Sequence, residues 1–82
     1  MQENLSNATQ EEVLEFYKRV SSKIRILREE RGISQLELAL DIGIKSIAFY
    51  SNCENNRYGK HFNLEYCYKI AKSLNVNIRE FF

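Results

Sequence analysis

The sequence predicts an all-α fold, a compact unit of about five helices with a helical N-terminal extension. Apolar residues recur at spacings of three and four along most of the chain, as on one face of a helix. A residue suited to N-capping stands ahead of each such run: Thr9, Ser34, Ser46 and Asn63. There is no proline, and nothing alternates with period two for long enough to make a strand.

Residues 1 to 8, MQENLSNA, are polar and expected to fray. Thr9-Gln10-Glu11-Glu12 then forms a capping box, and Val13, Phe16 or Tyr17, Val20, Ile24 and Leu27 carry a helical period. This segment reads as one long helix, or as two joined near Ser21-Ser22, stopped by Gly32. Ser34-Gln35-Leu36-Glu37 is a second capping box, opening a helix that closes at Gly43. Ser46 caps a third helix running to about Asn55, and the stretch NNRYGKHFN, 55 to 63, reads as a loop because it has Gly, Asn and basic residues without apolar period. Asn63 caps a fourth, with Leu64, Cys67, Ile70, Ala71 and Leu74 on one face. Asn77-Ile78-Arg79-Glu80 opens a short last turn ending in Phe81-Phe82. Residues 9 to 82 are therefore expected to be one domain.

Eighty-two residues support one modest core and leave little room for an enclosed active site. No nucleophile–base pair, carboxylate pair or glycine-rich phosphate loop stands out, so an enzyme is not expected. No apolar run is long enough to span a bilayer and the polar start does not look like a secretory signal, which predicts a cytoplasmic protein with no membrane partner. Cys53 and Cys67 lack the close spacing and the histidines of a metal site, and are expected to be reduced, buried thiols; no metal and no cofactor are expected. The net charge is only +1, but it is unevenly spread. Residues 1 to 17 carry Glu3, Glu11, Glu12 and Glu15 and no base, whereas residues 18 to 82 carry 12 basic against 7 acidic side chains. An acidic start followed by a basic body can present a positive face to a polyanion.

A helix from Ser34 to Gly43, followed after a few residues by another, is a helix-turn-helix arrangement. Ala39 supplies the small residue at the helix crossing, and Gly43 the residue that can leave helical φ/ψ. Around this corner the chain resembles the Cro/cI-like (XRE-type, phage-repressor-like) helix-turn-helix family. The matching pieces are "IRILREERGISQLELA" at 24 to 39, "YSNCEN" at 50 to 55 and "LEYCYKIAKSLNVNIREFF" at 64 to 82, within a family-like core spanning 23 to 82.

The resemblance implies a repressor-like domain in which Arg28 and Glu54 form a partly buried ion pair and Gln35, in the first turn of its helix, holds a DNA phosphate. Backbone N–H groups at that helix start favour an anion. Between Gly43 and Glu54 the chain has one residue more than the family pattern, so two registers of the third helix arise. With the extra residue in the turn near Ile44-Lys45, Tyr50 and Cys53 point inward, and Ser46, Ile47, Ala48, Ser51 and Asn52 face outward as base readers. In the other register Ile47 is core. Asn52 suits adenine, Ser51 a phosphate or base edge, and Ile47 and Ala48 thymine methyls. No arginine stands on this face, which leans specificity towards A·T content and DNA shape. Lys45, Arg57, Tyr58, Lys60 and His61 are the expected phosphate contacts, with solvated surface residues as the alternative.

Leu36 and Leu40 lie on a face that is usually polar in the family. Residues 9 to 20 are expected to pack across them or to contribute to a dimer. Family members usually bind as pairs on half-sites about one helical turn apart. Val76, Ile78, Phe81 and Phe82 are the expected homodimer interface, with core packing as the alternative. The function implied is a sequence-specific double-stranded DNA-binding transcriptional regulator of repressor or controller type, dimeric on operator DNA. An antitoxin, using Leu36 and Leu40 towards a toxin partner, and a helical protein-interaction module that no longer reads DNA are the alternatives.

Overall fold

Thr9 sets the start of the first helix by a reciprocal cap. Its hydroxyl accepts from Glu12 N–H at 3.0 Å, and the Glu12 carboxylate accepts from Thr9 N–H at 2.7 Å. The computed structural model describes residues 7–82. Of the fraying expected over residues 1 to 8, positions 1–6 lie outside the described residues; Asn7 and Ala8 are exposed and non-helical.

From that cap a single helix, α1, runs over Gln10–Glu30. It passes Ser21-Ser22 without a break because the Ser21 hydroxyl is buried and donates to Cys53 C=O at 3.2 Å instead of competing for its own backbone. Gly32, at φ +68°, turns the chain away. The second capping box, Ser34 with Glu37, opens α2 (Gln35–Asp41), and Gly43 at φ +85° closes the corner. Ser46 accepts from Phe49 N–H and opens α3 (Ile47–Glu54). Asn63 accepts from Tyr66 N–H and opens α4 (Leu64–Leu74), which Asn75 ends at φ +57°.

The expectation of five helices is corrected to four α-helices among the described residues. The last segment, Ile78–Phe81, is a 3-10 turn capped by Asn77, and Arg57–Gly59 forms a second 3-10 turn inside the loop after α3. Only seven residues follow Asn75, too few to meet the cost of nucleating another α-helix. No strand occurs among the described residues.

All four helices and the last turn bury side chains in one core, which joins Ile24 of α1, Leu38 and Ala39 of α2, Tyr50 and Cys53 of α3, Ile70 and Leu74 of α4, and Phe81. Ala39 is fully buried at the corner, and its carbonyl accepts from Ile44 N–H at 2.8 Å, which pulls the turn tight over α2.

Residues 9 to 20 do not pack across α2. The second half of α1 is committed to the core through Val20, Ile24 and Arg28, so the first half runs past the loop after α3 and the chain end. There Tyr17 stacks on His61 with ring centroids 3.8 Å apart, and Phe16 stacks on Phe82 at 6.0 Å. Leu36 and Leu40 are left 47% and 60% exposed. No helix among the described residues is long and apolar enough to cross a membrane.

Candidate nucleic-acid interface

The corner formed by α2 and α3 is anchored from beneath by Glu54. This carboxylate is 1% exposed, yet both oxygens are fully engaged. Arg28 donates Nε to Oε2 at 2.9 Å and Nη2 to Oε1 at 3.0 Å, a bidentate fork across 26 residues of sequence. Gln35 Nε2 donates to Oε1 at 2.9 Å and the Tyr50 hydroxyl to Oε2 at 2.8 Å. Arg28 also donates Nη1 to Ile33 C=O at 2.7 Å, holding the strap between α1 and α2. Burial alone would raise the Glu54 carboxyl, but the donors outweigh it and hold it below the usual carboxylate range. The hydrogen bond to Glu54 likewise raises Arg28 against its own desolvation. Burial and the neighbouring carboxylate push the Tyr50 phenol well up. Among the described residues no buried side-chain polar atom is left without a partner.

This anchor sets which side of α3 meets solvent. Tyr50 and Cys53 are fully buried, Ile47 is 47% exposed, Ser46 and Ala48 are exposed, and Ser51 and Asn52 are half-buried. Ile47 is therefore not core. Ser46 spends its oxygen as the cap of α3. The Ser51 hydroxyl and carbonyl both accept from the Asn55 amide, at 3.4 and 2.9 Å. Asn52 makes no hydrogen bond to the described residues, so both amide donors and the acceptor are without a partner among them.

The basic residues expected at phosphates flank α3 in sequence and form no ion pair with a carboxylate among the described residues. Lys45 is exposed in the turn between α2 and α3, and Arg57, Tyr58 and Lys60 are exposed in the loop after α3. Asn56, Tyr58 and Gly59 all have positive φ, which folds this loop into a tight arch. Asn56 holds the arch: its amide lies 3.2 Å from Ser21 Oγ and 3.3 Å from the carbonyls of Cys53 and Lys60. His61 is half-buried under Tyr17. Gln35 keeps only part of its amide free, since Nε2 already serves Glu54.

Sequence reasoning missed the parts played by Asn56, Tyr17 and Arg25. Arg25 Nη1 reaches Asn55 Oδ1 at 3.4 Å, one residue beyond the Glu54 anchor. Its signal was available, because Arg25 and Arg28 are three apart on one helix and so share a face. The Tyr17–His61 contact carried no local signal.

Of the residues expected at a dimer interface, Phe81 requires correction. It is fully buried, because the 3-10 turn directs its ring into the core between α1 and α4 while turning Phe82 outward at 45% exposure. Val76 and Ile78 are half-buried against that core. Cys53 and Cys67 are free and buried, and burial pushes both thiols up, Cys67 to about 11, which disfavours the thiolate form. No group of three or more His, Cys, Asp or Glu that could hold a metal occurs among the described residues.

Comparison with curated proteins and with solved structures gives no match. The helix-turn-helix family model, of the Cro/cI-like XRE type, matches residues 24–81, and its span holds the Arg28–Glu54 anchor, the α2–α3 corner and the basic arch. The chain thus belongs to the Cro/cI-like helix-turn-helix family of DNA-binding transcription regulators.

Proposed function

We propose that the protein is a sequence-specific double-stranded DNA-binding regulator of repressor or controller type, acting as a dimer on operator DNA. The observation that carries this reading is the solvent-facing side of α3, where Ile47, Ala48 and Asn52 project beside Lys45 and the Arg57–Lys60 arch, above an anchor that ties the end of α3 to α1 and α2. A helix anchored in this way, flanked by basic side chains that form no ion pair among the described residues, suits major-groove readout with backbone contacts on each side. Asn52 reads adenine, Ile47 and Ala48 meet thymine methyls, and the absence of arginine on this face turns specificity towards A·T content. Lys45, Arg57, Tyr58, Lys60, His61 and the free part of the Gln35 amide grip phosphates.

A single reading helix covers half a site, so pairing of two chains follows. Exposed Phe82, with Phe16 stacked on it, replaces Phe81 as the residue to test at that contact. A random-duplex selection followed by a salt series on the selected sequence tests the whole reading. A two-fold symmetric motif with affinity falling steeply in salt is expected; absence of both sinks it.

The exposed Leu36–Leu40 ridge on α2 favours a second role, contact with a protein partner such as a toxin. Capture of that partner by the wild type, and its loss in Leu36→Ser/Leu40→Ser with DNA affinity intact, is the result that supports it.

A further inference from the structure

We propose that the first half of α1 is a positioning element for DNA binding, with Tyr17 as the residue that presents His61 and the basic arch to the phosphate backbone. The inference rests on the DNA-binding reading above and deepens it. Tyr17 lies seven residues ahead of the family match, so the family's shared core does not supply this contact.

The arch from Arg57 to Lys60 is secured at its start and left exposed in the middle. At the start, Asn56 ties the arch to α3 through Cys53 C=O, to its own far side through Lys60 C=O and to α1 through Ser21 Oγ. At the far end no hydrogen bond of the His61 side chain to the described residues takes over. What holds the ring is the Tyr17 face, 3.8 Å away and within 15° of parallel. Around this stack, Val13, Leu14 and Tyr17 of α1 face Asn56, Lys60 and His61 across one cleft. Both fixed ends of the arch therefore attach to the same helix, four residues apart, at Tyr17 and Ser21.

A loop whose side chains are already oriented loses less freedom when it meets a phosphate. A phenol stacked on the imidazole face resists rotation of that ring about its Cβ–Cγ bond, which keeps the ring N–H directed outward in the plane of the stack. Tyr17 touches no DNA in this arrangement. It acts through His61, and the Tyr17 ring is what matters; its hydroxyl makes no hydrogen bond to the described residues.

The test uses the full chain with two probes, the selected duplex and a random-sequence duplex of the same length, at a temperature where thermal melts show every variant folded. Tyr17→Ala is expected to weaken binding to both duplexes alike, by roughly two- to tenfold, the effect of freeing one side chain at an interface. Tyr17→Phe keeps wild-type affinity. Tyr17→Ala/His61→Ala binds no worse than His61→Ala alone, because Tyr17 acts through His61. His61 ring-proton shifts, displaced by the Tyr17 ring current in the wild type and in Tyr17→Phe, move to ordinary values in Tyr17→Ala. If wild type and Tyr17→Ala bind equally, or the two losses multiply, or the His61 shifts do not respond, the positioning role is overturned. If the wild type binds neither duplex, the DNA reading itself fails.

Discussion

Gln35 and Glu54 are joined by a 2.9 Å hydrogen bond that links the first turn of α2 to the last residue of α3. The side chain expected to meet DNA is thus braced from behind by the same carboxylate that anchors α1. Gln35→Ala is expected to remove a hydrogen bond to a charged group and cost about 1.5–3 kcal/mol. Gln35→Glu sets one carboxylate against another and should cost more at neutral pH. Urea unfolding of the two variants checks the order; the reverse order would show that Gln35 does not face Glu54 in solution.

Arg28→Met strands a buried carboxylate and should cost roughly 3–5 kcal/mol, measured by chemical denaturation. The same site makes stability depend on pH. Glu54 sits below its ordinary value in the folded chain, so the folded state holds its proton more weakly than the unfolded one. Its contribution is complete above the ordinary carboxylate value of about 4.3 and is lost as pH falls from there through the lower folded value. Exposed Glu37 and Glu65, also lowered, add to the acid slope in the same direction. Denaturation series from about pH 6 to about pH 3 should therefore show a shallower loss in Glu54→Gln, from a lower starting stability, than in the wild type. Equal slopes would mean that Glu54 is not held in the charged form.

Phe81 and Phe82 are neighbours with opposite surroundings, and truncating each should show it. Phe81→Ala empties a core position and is expected to cost about 3–5 kcal/mol. Phe82→Ala should change monomer stability far less and shift the monomer–dimer balance towards monomer, read by sedimentation. A Phe82→Ala chain that pairs as well as wild type would place the dimer contact elsewhere.

Asn52→Ala should lose roughly 1–3 kcal/mol on the selected duplex and little on random DNA. Arg57→Ala and Lys60→Ala should weaken both duplexes alike and flatten the salt slope by about one unit per lost phosphate contact. Equal loss on both duplexes for Asn52→Ala would remove it from base reading.

Helix starts were legible because capping is a conversation across three residues. Thr9 with Glu12 and Ser34 with Glu37 each satisfy backbone donors from within the same four residues. The positive φ of Gly32 and Gly43 is local in the same sense. The Arg28–Glu54 pair, 26 residues apart, was not accessible from spacing and came from the resemblance to a family.

By itself, then, the sequence marked the capped starts of α1 to α4, the corner at Gly43 and the membership that residues 24–81 carry, while its count of about five helices was one too many. Tertiary structure decided which way the ends face. Whether Phe81 or Phe82 points inward depends on how a short 3-10 turn lands on α1 and α4, and a neighbouring phenylalanine carries no mark of it. That Ile47 is exposed follows from Glu54, at the end of α3, being held by Arg28 of α1 and Gln35 of α2, which sets how α3 is turned against them. Tyr17 meets His61 across 44 positions because the buried half of α1 aims the other half at the loop. Such contacts arise from packing between distant segments, which a local pattern does not encode.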